Sequence, residues 1–175
     1  MPLTDHDTYQ TASGLKRSLL ARLSPWPTLA FYPSVFRIVL NASRLARRGA
    51  YGDPEWVQSS LAVLRAMEAV GMRLMVEGVD HVRGLRGPAV FVGNHMSTLE
   101  TFVLPAIVQP VRPVTFVVKE ALLTYPVFGP IMRSRDPIAV GRANPREDLK
   151  AVLEGGQARL ARGISLIVFP QTTRS

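Results

Sequence analysis

The chain contains no cysteine. That excludes disulfide staples, a thiolate nucleophile and every cysteine-based zinc site. Histidine is scarce as well: His6, His81 and His95 are scattered and form no ligand cluster, so no metal is expected. No G-x-S-x-G elbow is present, which argues against a covalent serine acyl-enzyme. A long hydrophobic run is also missing. Leu23 to Phe36 is uncharged but holds Pro25, Pro27 and Pro33 and ends at Arg37, short of the roughly 18 apolar residues that a bilayer span requires. Asp5 and Asp7 come early and no small-residue cleavage site follows a compact apolar run, so a secretory leader is not expected. Internal repeats are absent.

Acidic residues are missing from one stretch in particular. Between Lys16 and Arg48 lie Lys16, Arg17, Arg22, Arg37, Arg44, Arg47 and Arg48 and no Asp or Glu, within a chain of net charge +8. Such a patch suits anionic lipid headgroups, an acidic carrier protein or nucleic acid. The aromatic interleaving and glycine-rich signatures of RNA-binding modules are lacking, so nucleic acid is not an expected partner.

What is present describes a folded domain. The 175 residues are 47% apolar and only 19% charged, enough for one sizeable core and too apolar for disorder. Residues 1–13 are polar and predict no regular structure. From Val35 to Arg48 the polar residues Arg37, Asn41, Arg44 and Arg48 recur at spacings of four, three and four, one cationic stripe on an otherwise apolar helix. Asp53-Pro54 predicts the start of a second helix, with Asp53 as N-cap, running to about Val76. The pair reads either as a hairpin packed on the core or as an interfacial anchor with arginines Arg37, Arg44 and Arg48 at the headgroups; polar stripe, basic bias and the Trp26, Phe31, Tyr32 and Phe36 cluster favour the anchor.

After Gly78 the pattern changes. Short β-branched runs at Val90–Val92, Val114–Val118, Pro137–Val140 and Ser165–Phe169 alternate with helical stretches at Thr98–Val108 and Pro145–Arg162. That alternation predicts an α/β fold, a mixed sheet with flanking helices, its sites at strand ends. Residues 1–77 are therefore expected to form an N-terminal segment with a two-helix membrane-association hairpin, and 78–175 an α/β region.

The chemistry concentrates in Gly93-Asn94-His95-Met96-Ser97-Thr98-Leu99-Glu100. A histidine at a strand-to-helix junction with a carboxylate close behind is a general base with its orienting partner. Five residues on a regular helix turn roughly 140°, so the two side chains meet only if His95 lies in the turn before the helix and Glu100 in its first turn. Ser97-Thr98-Leu99-Glu100 also reads as a capping box, in which Glu100 would only reach back to a backbone N–H.

Three ordered blocks resemble the lysophosphatidic acid acyltransferase family of glycerolipid acyltransferases. Asn94 to Glu100 is similar to its N-H-x4-D/E signature. Lys119-Glu120-Ala121-Leu122, Pro126-Val127-Phe128-Gly129 and Ile138 to Arg142 are similar to K-x2-L, P-x2-G and I-x3-R. Phe169-Pro170-Gln171-Thr172-Thr173-Arg174-Ser175 is similar to F-P-E-G-T-R-S. The resemblance implies a membrane-associated enzyme, peripheral or interfacial at the cytoplasmic face. It would move a fatty acyl group from acyl-CoA or acyl carrier protein to the free hydroxyl of a lysophospholipid in phospholipid biosynthesis, with no further cofactor. His95 and Glu100 would be catalytic. Lys119, Arg142 and Arg174 would hold the acceptor phosphate, and Gly129, Gln171, Thr172 and Thr173 would form the acceptor loop. Gln171-Thr172 replaces the family's Glu-Gly, which leaves open a different lyso-lipid acceptor; a non-catalytic membrane-binding module is the alternative of another class. A fourth block is implied beyond Ser175, so the catalytic region is expected to be incomplete at its C-terminus.

Overall fold

The structure, a computed structural model, describes residues 7–23, 26 and 28–171. Three N-terminal helices, α1 (Leu19–Leu23), α2 (Thr28–Arg47) and α3 (Asp53–Ala69), follow a short strand β1 (Tyr9–Gln10). After β2 (Met75–Val76) and α4 (Val79–Arg83) the chain alternates: β3 (Val90–Val92), α5 (Leu99–Val108), β4 (Val114–Lys119), a 3-10 turn at Glu120–Leu123, α6 (Phe128–Arg133), β5 (Ile138–Val140), α7 (Pro145–Ala161) and β6 (Ser165–Val168).

Four strands form one sheet in the order β3-β6-β4-β5, and every pairing is parallel. The expectation of a mixed sheet is thereby corrected. A helix lies in each connection, α5 between β3 and β4, α6 between β4 and β5, α7 between β5 and β6. Such a crossover returns the chain to the end where it began, which enforces parallel pairing. Ser165, Leu166 and Ile167 of β6 and Val114, Thr115 and Phe116 of β4 are buried in succession, the pattern of strands covered on both faces.

The N-terminal part departs from expectation in four places. Residues 9–10 are not structureless but pair antiparallel with β2, Tyr9 opposite Val76. The hydroxyls of Tyr9 and Thr11 both donate to buried Glu68 Oε1, at 2.5 and 2.7 Å. Burial first, then the Glu68 hydrogen bond and charge, push the Tyr9 hydroxyl up to about 12. Helix α2 begins at Thr28 rather than Val35 and runs through Pro33, which is tolerated because that face is solvent-exposed and the carbonyl left without a donor can be hydrated. Helix α3 ends at Ala69 rather than Val76. Val70 and Gly71 return their N–H groups to Met67 and Glu68, and Gly71, at φ +95°, turns the chain toward β2. Its start also differs: Glu55 accepts the Gly52 N–H at 2.9 Å, while the Asp53 carboxylate pairs with Arg135 instead of capping.

Helix α3 is not free to lie in a bilayer. Trp56, Val63, Leu64 and Met67 are buried, the last three with Phe31 of α2 and Val103 of α5. A second cluster joins Trp56 to Phe116, Ile131, Met132 and Ile167 under the sheet. Helix α7 stays continuous across Gly155 and Gly156. There a Cβ would press to 3.3 Å from Ile138 and 3.1 Å from Leu166, so the paired glycines let the helix sit close on β5 and β6.

Because β6 lies between β3 and β4, cavities under it should be costly. Ile167→Ala, at a site 2% exposed, is expected to lose about 2–5 kcal/mol in urea unfolding. A loss under about 1 kcal/mol would show that the strand carries little of the fold.

Candidate active site

All four parallel strands end on the same edge, and each delivers one polar group there. His95 follows β3, Lys119 ends β4, Arg142 follows β5 and Gln171 follows β6. These four line one cavity of about 510 Å³ whose other walls are mainly apolar: Trp56 and Val63 of α3, Phe102 of α5, Phe116 and Val118 of β4, Ile131 and Met132 of α6, and Ile38 and Val39 of α2. Open parallel sheets bind ligands beyond the carboxyl ends of their strands, where loops and helix starts converge.

His95 lies in the turn before α5, and Glu100 in that helix's first turn. His95 Nδ1 is 3.1 Å from Glu100 Oε1. The capping-box reading holds in part: the N-cap is Thr98 rather than Ser97, but Glu100 still reaches back, its Oε1 accepting the Ser97 N–H at 2.8 Å and its Oε2 the Ser97 hydroxyl at 2.5 Å. Ser97 Oγ in turn accepts the Leu99 N–H at 3.0 Å. One carboxylate therefore both ends the helix and orients the histidine. Burial alone would raise its pKa, but the Ser97 hydroxyl, the backbone N–H groups of Ser97 and Glu100 and the His95 ring outweigh burial and hold it at about 2. With Nδ1 engaged, Nε2 is the ring nitrogen left for a substrate proton.

Two contacts that periodicity and spacing did not reveal fix the histidine further. The Phe169 ring stacks on the imidazole, centroids 4.8 Å apart, and Phe116 stacks behind Phe169 at 6.3 Å. Gln171 Oε1 accepts the His95 N–H at 2.7 Å. Phe169 stood in a recognised block, but its spacing from His95 in sequence gives no hint that the rings meet.

The cationic side is held by a residue outside any of the blocks. Arg142 has a positive φ of 63°, a left-handed conformation that a non-glycine residue adopts at a cost. Asp148, in the first turn of α7, accepts the N–H groups of Gly141 and Arg142 on its two oxygens, each at 2.8 Å. Register places Lys119 opposite Val140, two residues before Arg142, so the two cations emerge from adjacent strands.

Gly129 does not line the cavity. It is buried in α6, where a Cβ would collide with the Leu123 carbonyl, so its smallness serves packing. Thr172, Thr173 and Arg174 lie outside the described residues. Arg37, Arg44 and Arg48 are solvent-exposed on and just after α2. Phe31 is buried in the core instead of joining an exposed aromatic cluster, whereas Trp26, Leu29, Tyr32 and Phe36 are 59–66% exposed. Leu29, Tyr32 and Phe36 recur at helical spacing on one side of α2. Among the described residues no helix is long and apolar enough to cross a membrane.

A histidine–carboxylate pair thus stands at the mouth of an apolar cavity, with two cations from neighbouring strand ends. Residues 73–175 match the Acyltransferase family, and the chain belongs to it. The chain is 28% identical over 149 residues to a 1-acyl-sn-glycerol-3-phosphate acyltransferase of Pseudomonas aeruginosa, an alignment covering 85% of this chain and 53% of that protein. It is 31% identical over 87 residues to the enzyme of the same name from Cocos nucifera, covering 50% of this chain and 28% of that one. A third relative of that name, from Limnanthes douglasii, is 27% identical over 105 residues, 60% of this chain and 36% of the relative. The chain thus spans about half or less of the length of these relatives. No solved structure matches it.

The depressed Glu100 pKa has a testable sign. A carboxylate held at about 2 when folded, against 4.5 ordinarily, adds stability that is fully present above about pH 4.5 and is lost as pH falls toward 2. Urea midpoints of wild type and Glu100→Gln, measured from pH 6 to pH 3, should converge as the pH drops. Parallel curves would mean that the carboxylate is not so held.

Proposed function

We propose that the protein transfers a fatty acyl group from a thioester, acyl-CoA or acyl carrier protein, to the free hydroxyl of 1-acyl-sn-glycerol-3-phosphate in phospholipid synthesis. The observation that carries this reading is the His95 Nδ1 to Glu100 contact at 3.1 Å beside an apolar cavity. His95, held by Glu100 and sandwiched against Phe169, takes the hydroxyl proton through Nε2 while the hydroxyl oxygen attacks the thioester carbonyl. The chain has neither a cysteine nor a serine elbow, which favours direct attack over a covalent intermediate.

The apolar walls suit the acyl chain of the donor, and about 510 Å³ falls within the range of small-molecule sites. Lys119 and Arg142 suit the acceptor phosphate, Arg142 through its planar donor fork. Arg174, from the resembling third block, is assigned to the same phosphate. The names of the relatives agree with this acceptor.

Membrane association belongs to the same proposal. The exposed apolar side of α2, Leu29, Tyr32 and Phe36, would enter the interface of a membrane bearing anionic lipids, at its cytoplasmic face, while Arg37, Arg44 and Arg48 meet the headgroups. The helix would lie on the bilayer rather than cross it, with the packed α3 behind it.

Two measurements test these assignments. Thioester consumption by the purified protein should require the lysophospholipid, and His95→Ala should lower it on the order of 10²–10⁴-fold without changing liposome binding. Near wild-type turnover in the folded variant would remove His95 from the mechanism. Arg44→Glu combined with Arg48→Glu should weaken co-sedimentation with anionic liposomes, since each basic residue at such a surface contributes about 1 kcal/mol. Unchanged co-sedimentation at moderate salt, with native circular dichroism, would rule out the α2 surface as the contact.

A further inference from the structure

Arg142 lines the cavity from a backbone at φ +63°. An L-residue left to itself populates that left-handed region only as a minor state, on the order of one part in 5–30. Returning Arg142 to a negative φ would swing its Cα–Cβ bond roughly 120° about the N–Cα axis. The direction in which the side chain leaves the loop therefore depends on whatever holds this φ.

The loop runs from Gly141 to Asn144, between β5 and α7, and it is fastened twice. Asn144 is the N-cap of α7, its side chain accepting the Arg146 N–H at 3.1 Å. Asp148 reaches back from the first turn of the same helix. Its Oδ1 accepts the Gly141 N–H and its Oδ2 the Arg142 N–H, each at 2.8 Å. The Asp148 N–H donates to the Asn144 carbonyl at 3.0 Å, so the residue is itself part of the helix. Helix α7 in turn sits close on β5 and β6 at Gly155 and Gly156. The sheet thus fixes the helix, the helix fixes the carboxylate, and the carboxylate fixes the two peptides before the Arg142 side chain.

We propose that Asp148 is a positioning residue for the acceptor: by holding Arg142 left-handed it keeps the guanidinium available to the acceptor phosphate. This rests on the acyl-transfer reading above and on the assignment of Arg142 to that phosphate. The resembling I-x3-R segment ends at Arg142 and does not reach Asp148. An acidic residue in a first turn also complements the helix dipole, but Glu147 stands in the same turn and meets that need. Two parallel bonds to successive N–H groups demand two acceptor oxygens, which a carboxylate has and an amide or a hydroxyl does not. A carboxylate near an anion site is electrostatically unfavourable, so its presence there is better explained by the grip on the loop than by the helix start.

Steady-state kinetics of the full-length protein with acyl-CoA and 1-acyl-sn-glycerol-3-phosphate test the assignment. Asp148→Asn keeps the size of the side chain but turns an NH₂ group toward one N–H. Asp148→Glu keeps the charge in the first turn and moves the oxygens by one methylene. Both are expected to raise KM for the acceptor about 5–30-fold, the population of the left-handed state being lost, with kcat and KM for acyl-CoA little changed. In an Arg142→Ala background the same changes should add almost nothing, because the two residues act as one unit. An equal rise in both backgrounds would overturn the proposal, as would a lowered melting temperature with KM unmoved. If Asp148→Asn fails to fold, Asp148→Glu decides alone. An unchanged acceptor KM in Arg142→Ala would remove the arginine from the phosphate site, and this role for Asp148 with it, while leaving acyl transfer standing. Wild-type protein that consumes no thioester in the presence of acceptor would instead overturn the acyl-transfer reading itself.

Discussion

The insertion of β6 between β3 and β4 is the constraint on which the rest of the molecule depends. Among the described residues β3 has no other hydrogen-bonded neighbour in the sheet, so strand pairing ties the turn carrying His95 to the strands carrying Lys119 and Arg142 through Ser165–Val168. Ser165 is wholly buried, and its hydroxyl accepts the Ala89 N–H at 3.1 Å. Its own N–H reaches the Pro113 carbonyl at 2.8 Å, while the Leu166 N–H reaches Ala89 at 2.9 Å. The strand is thereby locked to both neighbours at its first two residues. Because all pairings are parallel, the opposite ends of the four strands share one edge, and four residues far apart in sequence gather there without any long loop.

That edge is held by short-range devices, each serving packing and chemistry together. Glu100 holds the start of α5 and contacts the His95 ring, so helix stability and the placement of the imidazole are coupled. Asp148 sits in the first turn of α7 and binds two successive N–H groups, which offsets the cost of the left-handed Arg142. Phe169 directly follows β6, stacks on His95 and is backed by Phe116, whose ring meets Trp56 edge-on at 6.0 Å. An aromatic row therefore runs from His95 to α3, with the Arg135 guanidinium over Trp56 at 4.7 Å.

Much of this was legible in the sequence, and the divide follows physical range. The strands expected at 90–92, 114–118, 137–140 and 165–169 announce themselves by local β-branched runs. The His95–Glu100 pair follows from one turn of helix geometry. The parallel order was not legible, because strand order is set by burial and crossover packing over the whole chain. Pro33 suggested an interruption where an exposed carbonyl made it harmless, and the apolar content of residues 70–76 concealed the glycine that ends α3. Asp148 was silent because an acidic residue at a helix start has an ordinary explanation; only its two bonds to the preceding loop distinguish it.

In the N-terminal segment one helix is apolar on two sides. In α2 the residues Phe31, Ile38, Val39 and Ala42 face the interior or the cavity, while Leu29, Tyr32 and Phe36 stay exposed. A helix apolar on both sides has more hydrophobic surface than the core can take up, and a soluble monomer rarely leaves such a side contiguous without a use for it. Lateral placement matters for the chemistry. The helix that would touch lipid is also a wall of the cavity beside His95, so an acyl chain entering from a bilayer would pass from lipid to protein along a single helix.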